Sequence, residues 1–279
     1  MKYYALIGNP VKHSLSPGIH NLIFKVLKKD FQYLAFSIQP HTLREAVLGM
    51  KALGFLGFNV THPFKIMIMK YLDKISDEAQ RIGAVNTVKI NGEELSGFNT
   101  DGIGFIRALN YRGIHIEDKN IMILGAGGAA RSILFSIFIR KPKTIYILNR
   151  SQEKAFSLKK ELEEVSGISC IADSIYNVRN YLSEVDLLVN ATSMGMTSDN
   201  DFFRYLNLNN LKKDAIIYDI LYNTPRNSLF HVAKDFGITS YDGKDMLVFQ
   251  AIEAQKIWGN LDDNLEKCII KELKKEGFF

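Results

Sequence analysis

Short apolar runs alternate with amphipathic stretches along almost all of the 279-residue chain. The run Tyr3–Ile7 reads as a strand, and apolar positions three and four apart predict a helix from about Ser16 to Lys28, with Pro17 suited to its first turn. The same alternation predicts a strand at Tyr33–Ile38, a helix from about Thr42 to Leu53 and a strand ending at Val60. A short helix near Phe64–Leu72 and another over Asp77–Ile82 come next. A hairpin follows, Val85–Ile90 with Glu94–Phe98, turning at Asn91-Gly92. A helix from about Gly102 to Tyr111 leads to the apolar run Ile121–Leu124. Strands are predicted beyond it near Ile145, Ile168, Leu187, Ile217 and Ile238, with helices between most of them and a helical stretch over Met246–Lys275. Strand and helix alternate throughout, without repeats or low-complexity linkers, so the class is α/β.

One junction in this pattern carries chemistry. Ile121–Leu124 runs straight into Gly125-Ala126-Gly127-Gly128-Ala129-Ala130-Arg131, a Gly-x-Gly-x-x-Ala fingerprint that opens a helix. Gly125 suits the tight turn, Gly127 leaves room for a pyrophosphate, and Ala130 lets helix and strand pack closely. The helix N-terminus presents free N–H groups to the phosphates. A dinucleotide-binding domain therefore follows a first α/β domain. The next strand, Thr144–Leu148, ends in Asn149-Arg150-Ser151, with Lys154 one helical turn on. An NAD-binding strand usually ends in an acid that holds the ribose 2′-hydroxyl. Here Arg150 stands instead, and a guanidinium grips a 2′-phosphate in a bidentate way. The expected cofactor is NADP.

Composition adds bounds. With 47% hydrophobic and 23% charged residues the chain has ample core for two domains. Its net charge of +5 is spread over scattered lysines, with no arginine-rich arm and no basic–aromatic ladder, so no nucleic-acid partner is expected. Cys170 and Cys268 are far apart and form no CxxC pair, which reads as free thiols in a reducing cytoplasm. The opening residues read as a strand rather than a signal peptide, and the apolar run Ile133–Ile139 is too short to span a bilayer. No membrane and no metal is expected, and the assembly is a monomer or homodimer.

Ligands of open α/β sheets bind beyond the carboxyl ends of the strands, which selects three loops of the first domain. After Ile7 come Ser14 and Ser16, two hydroxyls just before a helix, placed for a carboxylate or polyol. Ser16 alternatively caps that helix. After Val60 come Thr61-His62-Pro63-Phe64-Lys65. Lys65, opening a short helix, stands against the helix dipole and either snorkels to solvent or shuttles a proton. After Phe98 comes Asp101, which either caps the next helix or faces and polarises Lys65. Asn86 offers an amide that both donates and accepts.

Taken in order, these pieces resemble the shikimate dehydrogenase family. The segments are Ser14-Leu15-Ser16-Pro17, Asn59-Val60-Thr61-His62-Pro63-Phe64-Lys65, Gly83-Ala84-Val85-Asn86-Thr87, Asn99-Thr100-Asp101-Gly102 and the glycine fingerprint. Asn149-Arg150-Ser151, Asn190–Met196, Tyr218–Tyr222, Asp242-Gly243 and Met246–Ala251 continue the set, so the resemblance covers essentially the whole chain. It implies reversible oxidation of shikimate to 3-dehydroshikimate with NADP, on the route to chorismate and the aromatic amino acids. It implies two α/β domains around a cleft, the second a Rossmann-like dinucleotide-binding domain. Residues 1–101 with 246–279 would hold substrate, and residues 102–245 would hold NADP. Ser14 and Ser16 would bind the substrate carboxylate; Thr61, Asn86, Tyr222 and Gln250 would meet its other polar groups. Lys65 and Asp101 would bind the reacting hydroxyl, with Lys65 as acid/base. Gly125, Ala126, Gly127, Gly128, Ala129 and Ala130 would cradle the pyrophosphate. Asn149, Arg150, Ser151 and Lys154 would surround the 2′-phosphate, and Ile220 and Gly243 would line the nicotinamide. The chain departs from the family pattern at Ser151, Lys154, Ile220 and Lys244-Asp245. An NAD-using quinate/shikimate relative would carry an acid near Asn149, and the sequence has none there. A folate-type methylene dehydrogenase would lack these ordered loops. A catalytically silent NADPH-binding sensor would have no need of both Lys65 and Asp101.

Overall fold

The structure is a computed structural model that describes residues 1–166, 168–198 and 202–279. The chain divides into two units, Met1–Phe105 with Leu247–Phe279, and Ile106–Met246.

The first unit is built on β1 (Lys2–Gly8), α1 (Ser16–Val26), β2 (Phe31–Ser37), α2 (Leu43–Ala52), β3 (Gly57–Val60), β4 (Lys74–Ile75), α3 (Asp77–Ile82), β5 (Thr87–Asn91) and β6 (Glu94–Phe98). Its six-stranded sheet has the order β2-β1-β3-β5-β6-β4. β1 is parallel to β2 and β3, while β5 runs antiparallel to both β3 and β6. That arrangement puts the carboxyl ends of β1, β3 and β6, and the start of β5, at one edge. Phe58, Val60, Phe64, Val85 and Val88 are buried beneath that edge. Each such side chain contributes about 2 kcal/mol by leaving water.

The second unit follows α4 (Asp101–Tyr111), inside which the boundary falls. It contains β7 (Asn120–Leu124), α5 (Gly128–Ile137), β8 (Thr144–Asn149), α6 (Gln152–Ser166), β9 (Ser169–Ser174), β10 (Leu187–Asn190), β11 (Ile216–Asp219), α7 (Leu229–Asp235) and β12 (Ser240–Tyr241). The strands pair in the order β12-β11-β10-β7-β8-β9, all parallel. Counted from β7, this is the doubly wound 3-2-1-4-5-6 order, whose ligand crevice opens where the winding reverses, between β7 and β10. Every residue of β7 is buried, as a strand covered on both faces requires. The chain returns to the first unit within α8 (Lys244–Ile257) and ends with α9 (Asp263–Lys275). Among the described residues no helix is long and apolar enough to cross a membrane, and no His, Cys, Asp and Glu cluster is arranged to hold a metal.

Four local expectations change. Ser16 does not cap α1: the cap position is Leu15, and the Ser16 backbone N–H donates to Ser14 Oγ at 3.2 Å. The stretch Phe64–Leu72 holds only a 3-10 segment, Met67–Tyr71, so Lys65 lies in a turn and the helix-dipole argument lapses. The hairpin register pairs Asn91 with Glu94, which moves the turn to Gly92-Glu93. The helical stretch to Lys275 breaks after Ile257, and Asp262 caps α9 by accepting from the N–H groups of Asn264 and Leu265.

Candidate functional site

The first unit gathers its polar residues at the edge described above. Ser14 and Ser16 follow β1, Thr61 and Lys65 follow β3, Asn86 precedes β5, and Asp101 is the first residue of α4, just past β6. Gln250 comes from α8. Lys65 Nζ donates to Asp101 Oδ2 at 2.5 Å, with the two side chains 17% and 7% exposed. Asp101 Oδ1 accepts from Asn86 Nδ2 at 2.8 Å. Both carboxylate oxygens are thus engaged, at a helix start whose dipole favours negative charge. An ammonium has three donors; one is fixed on Asp101, so the others are aimed rather than free to rotate.

Asn86 is the hub of this cluster. Its Nδ2 also faces Thr100 Oγ1 at 3.0 Å and Gln250 Oε1 at 3.3 Å. Its Oδ1 accepts from the Thr100 N–H at 2.8 Å and from Thr87 Oγ1 at 2.9 Å. Behind it, Asn59 Nδ2 donates to Thr87 Oγ1, and Tyr33 donates its hydroxyl to Asn59 Oδ1 at 2.8 Å. Gln250 Nε2 turns back onto the carbonyl of Leu247. The cluster is almost wholly buried: Asn86 is 2% and Thr100 1% exposed. A buried polar network so fully paired is rigid, since each unpaired group would cost about 1–3 kcal/mol. Ser14 and Thr61 stay partly accessible at the rim. Ser14 Oγ accepts one backbone proton and keeps its own hydroxyl proton to donate.

Sequence reading gave no role to Tyr33, Asn59, Thr87 or Thr100. One signal was present: Asn59 interrupts the run Phe58–Val60, and a polar residue inside a buried strand needs partners.

The second unit holds the glycine fingerprint. Gly125 has φ +119, and a Cβ there would lie 2.8 Å from the Ala191 carbonyl oxygen, so β7 and β10 approach too closely for any side chain. A Cβ on Gly127 would meet nothing within 4 Å. That open space, at the start of α5 and at the reversal of winding, fits a pyrophosphate. Ala130 is fully buried against the sheet, while Ala126, Gly128 and Ala129 line the turn around it. At the end of β8, Asn149 Nδ2 donates to the Ser151 carbonyl at 3.0 Å. Arg150 and Lys154 are exposed, and neither has an ion-pair or hydrogen-bond partner among the described residues. Two unengaged cations there fit a 2′-phosphate.

Beyond β11, Ile220 and Tyr222 are half-buried. A Cβ on Gly243 would fall 1.9 Å from the Ile220 carbonyl oxygen. Contact with the protein's own backbone therefore accounts for this glycine. Asn190 and Asp219 form a buried pair at the ends of β10 and β11, with Asn190 Nδ2 donating to Asp219 Oδ1 at 2.9 Å. Burial pushes the Asp219 carboxyl up to about 7, against the N–H groups of Leu221 and Phe230 that favour its charged form.

Comparison with known proteins agrees across both units. Residues 6–88 match the family model for the shikimate dehydrogenase substrate binding domain, and residues 108–242 match that for shikimate / quinate 5-dehydrogenase. The chain is 41% identical to the shikimate dehydrogenase (NADP(+)) of Methanocaldococcus jannaschii, over 98% of each chain. It is similar to a solved shikimate 5-dehydrogenase of Thermus thermophilus in complex with NADP(H) and shikimate: TM-score 0.81, 31% identity, covering 97% of this chain and 99% of that one. It is also similar to a Listeria monocytogenes shikimate 5-dehydrogenase in complex with shikimate and NAD: TM-score 0.84, 32% identity, covering 98% and 96%.

Proposed function

We propose that this chain, which belongs to the shikimate dehydrogenase family, reversibly oxidises shikimate to 3-dehydroshikimate with NADP, in aromatic amino acid biosynthesis. The observation that carries the reading is the Lys65–Asp101 pair at 2.5 Å, held by Asn86 on an edge rimmed with hydroxyls. Ser14 and Ser16 would take the substrate carboxylate, and Thr61, Asn86, Tyr222 and Gln250 its other polar groups. The hydroxyl that becomes the ketone would bind Lys65 Nζ and Asp101. In oxidation the neutral Lys65 amine takes its proton and becomes the ammonium; in reduction that ammonium donates the proton back and polarises the carbonyl. Asp101 keeps Nζ in position for both directions. NADP, when bound, supplies the hydride acceptor. The turn from Gly125 to Ala130 would hold its pyrophosphate, Asn149, Arg150, Ser151 and Lys154 its 2′-phosphate, and Ile220 and Gly243 the edge of its nicotinamide.

The free thiols of Cys170 and Cys268 support a cytoplasmic setting, and the working form is a monomer or homodimer. The test is direct. Purified protein is mixed with shikimate and NADP, then NAD, then with quinate in place of shikimate, and reduced cofactor is followed by absorbance. Turnover is expected with shikimate and NADP; none with any pair would overturn the enzymatic reading. Arg150→Ala is expected to raise KM for NADP far more than KM for NAD, and equal losses would remove Arg150 from the 2′-phosphate site.

A further inference from the structure

The acid missing from the end of β8 is supplied from the next helix. Ser151 precedes α6, and its Oγ donates to Glu153 Oε2 at 2.7 Å. Ser151 would then donate to a 2′-phosphate only by giving up Glu153, because a hydroxyl has one proton. What it leaves exposed there is a carboxylate, in the same turn as Arg150 and Lys154. That carboxyl is held below its usual range, first by the Ser151 hydroxyl and then by its own backbone N–H, so it is ionised at any assay pH near neutral.

We propose that Glu153 tempers the preference of this site for NADP, so that NAD is accepted as well. The inference rests on the NADP reading above and concerns how strict that preference is. A 2′-phosphate dianion entering beside Arg150 and Lys154 meets one like charge and a hydroxyl whose proton is already committed. The formal charge awaiting it is +1, from Arg150, Lys154 and Glu153 together, where the two cations alone would give +2. The 2′-hydroxyl of NAD is a neutral donor, and a carboxylate at this place is the acceptor that NAD-binding folds supply. Glu153 thus penalises one cofactor and favours the other through the same oxygen atoms.

The test compares Glu153→Gln with wild type, and with Glu164→Gln as a control for net charge, eleven residues along α6 and so about 16 Å away. Calorimetry measures binding of adenosine 2′,5′-bisphosphate and of 5′-AMP, and steady-state kinetics measures the ratio of kcat/KM for NADP to that for NAD. Glu153→Gln is expected to tighten the bisphosphate about fivefold at about 50 mM salt, less at about 0.5 M, and to leave 5′-AMP no tighter. The kinetic ratio rises by a similar factor. An unchanged ratio in an enzyme that uses NADP would overturn the role of Glu153 alone, as would an equal gain in Glu164→Gln or equal tightening of both ligands. Wild type that neither binds the bisphosphate nor turns over NADP would overturn the NADP reading and this inference with it.

Discussion

Lys65 is useful only because of what surrounds it. A lysine in a surface turn spends its time in water, and its ammonium points nowhere in particular. Here Asp101 accepts a hydrogen bond from that ammonium, Asn86 fixes Asp101, and Thr87, Thr100 and Asn59 fix Asn86. The chain of contacts converts a flexible side chain into a positioned one, which is where much of the rate advantage of a proton shuttle arises. Lys65→Ala is therefore expected to lower kcat by about 100-fold or more with little change in KM, since the proton transfer rather than the grip on substrate is removed. A near-normal kcat would take Lys65 out of the mechanism. The residue types Lys65, Asp101 and Asn86 were legible in the sequence as candidates, but not their mutual contact. They come from three loops separated by up to 36 positions, and only the β3-β5-β6 register brings them together.

At the scale of elements, legibility followed the length of the local signal. Asp77–Ile82 was readable to the residue because Ser76 caps it and Gly83 ends it. The β7–α5 junction was readable because an apolar strand and a glycine fingerprint have few other uses together. Short turns were not: the 3-10 segment Met67–Tyr71 and the two-residue hairpin turn are set by the sheet they serve. One departure from the family pattern, Asp245, finds its reason in a contact between elements. Arg112, just past α4, donates to both carboxylate oxygens of Asp245 in the first turn of α8, and its guanidinium lies over the rings of Tyr111 and Tyr241, 5.1 Å from each centroid. Asp245 is 2% and Arg112 33% exposed. Removing one partner strands the other, so Asp245→Ala is expected to cost about 2 kcal/mol, and Arg112→Met in addition to recover about half of it. Urea unfolding of the two single variants and the double variant closes the cycle. A loss below about 0.5 kcal/mol would make the pair a surface contact of no consequence.

Over the whole molecule, each unit buries a titratable group whose folded form resists ionisation, and the two act on stability in opposite directions. In the first unit His20 is fully buried, stacked 4.2 Å from Tyr33, with Nδ1 2.7 Å from Gln255 Nε2. Burial lowers its pKa from 6.5 to about 3. The unfolded chain then binds a proton near 6.5 that the folded chain refuses, so this stability is present above 6.5 and is lost as pH falls toward about 3. The slope is about 1.4 kcal/mol per pH unit. In the second unit Asp219 is raised from 3.8 to about 7, chiefly by burial. Here the folded chain keeps a proton that the unfolded chain releases, so this stability is fully present below 3.8 and is lost as pH rises through about 7. The two groups share no partners and lie in different units, so their effects are expected to add. Between 3.8 and 6.5 the two slopes oppose and largely cancel, so His20→Gln should unmask a loss of stability as pH rises toward about 7, and Asp219→Asn should unmask a loss as pH falls below 6.5. Urea unfolding from about pH 5 to 8 reads both, with circular dichroism reporting all helices and the single tryptophan, Trp258, reporting the first unit. A wild-type profile unaltered by Asp219→Asn would mean that the N–H groups of Leu221 and Phe230 outweigh burial and keep Asp219 ionised.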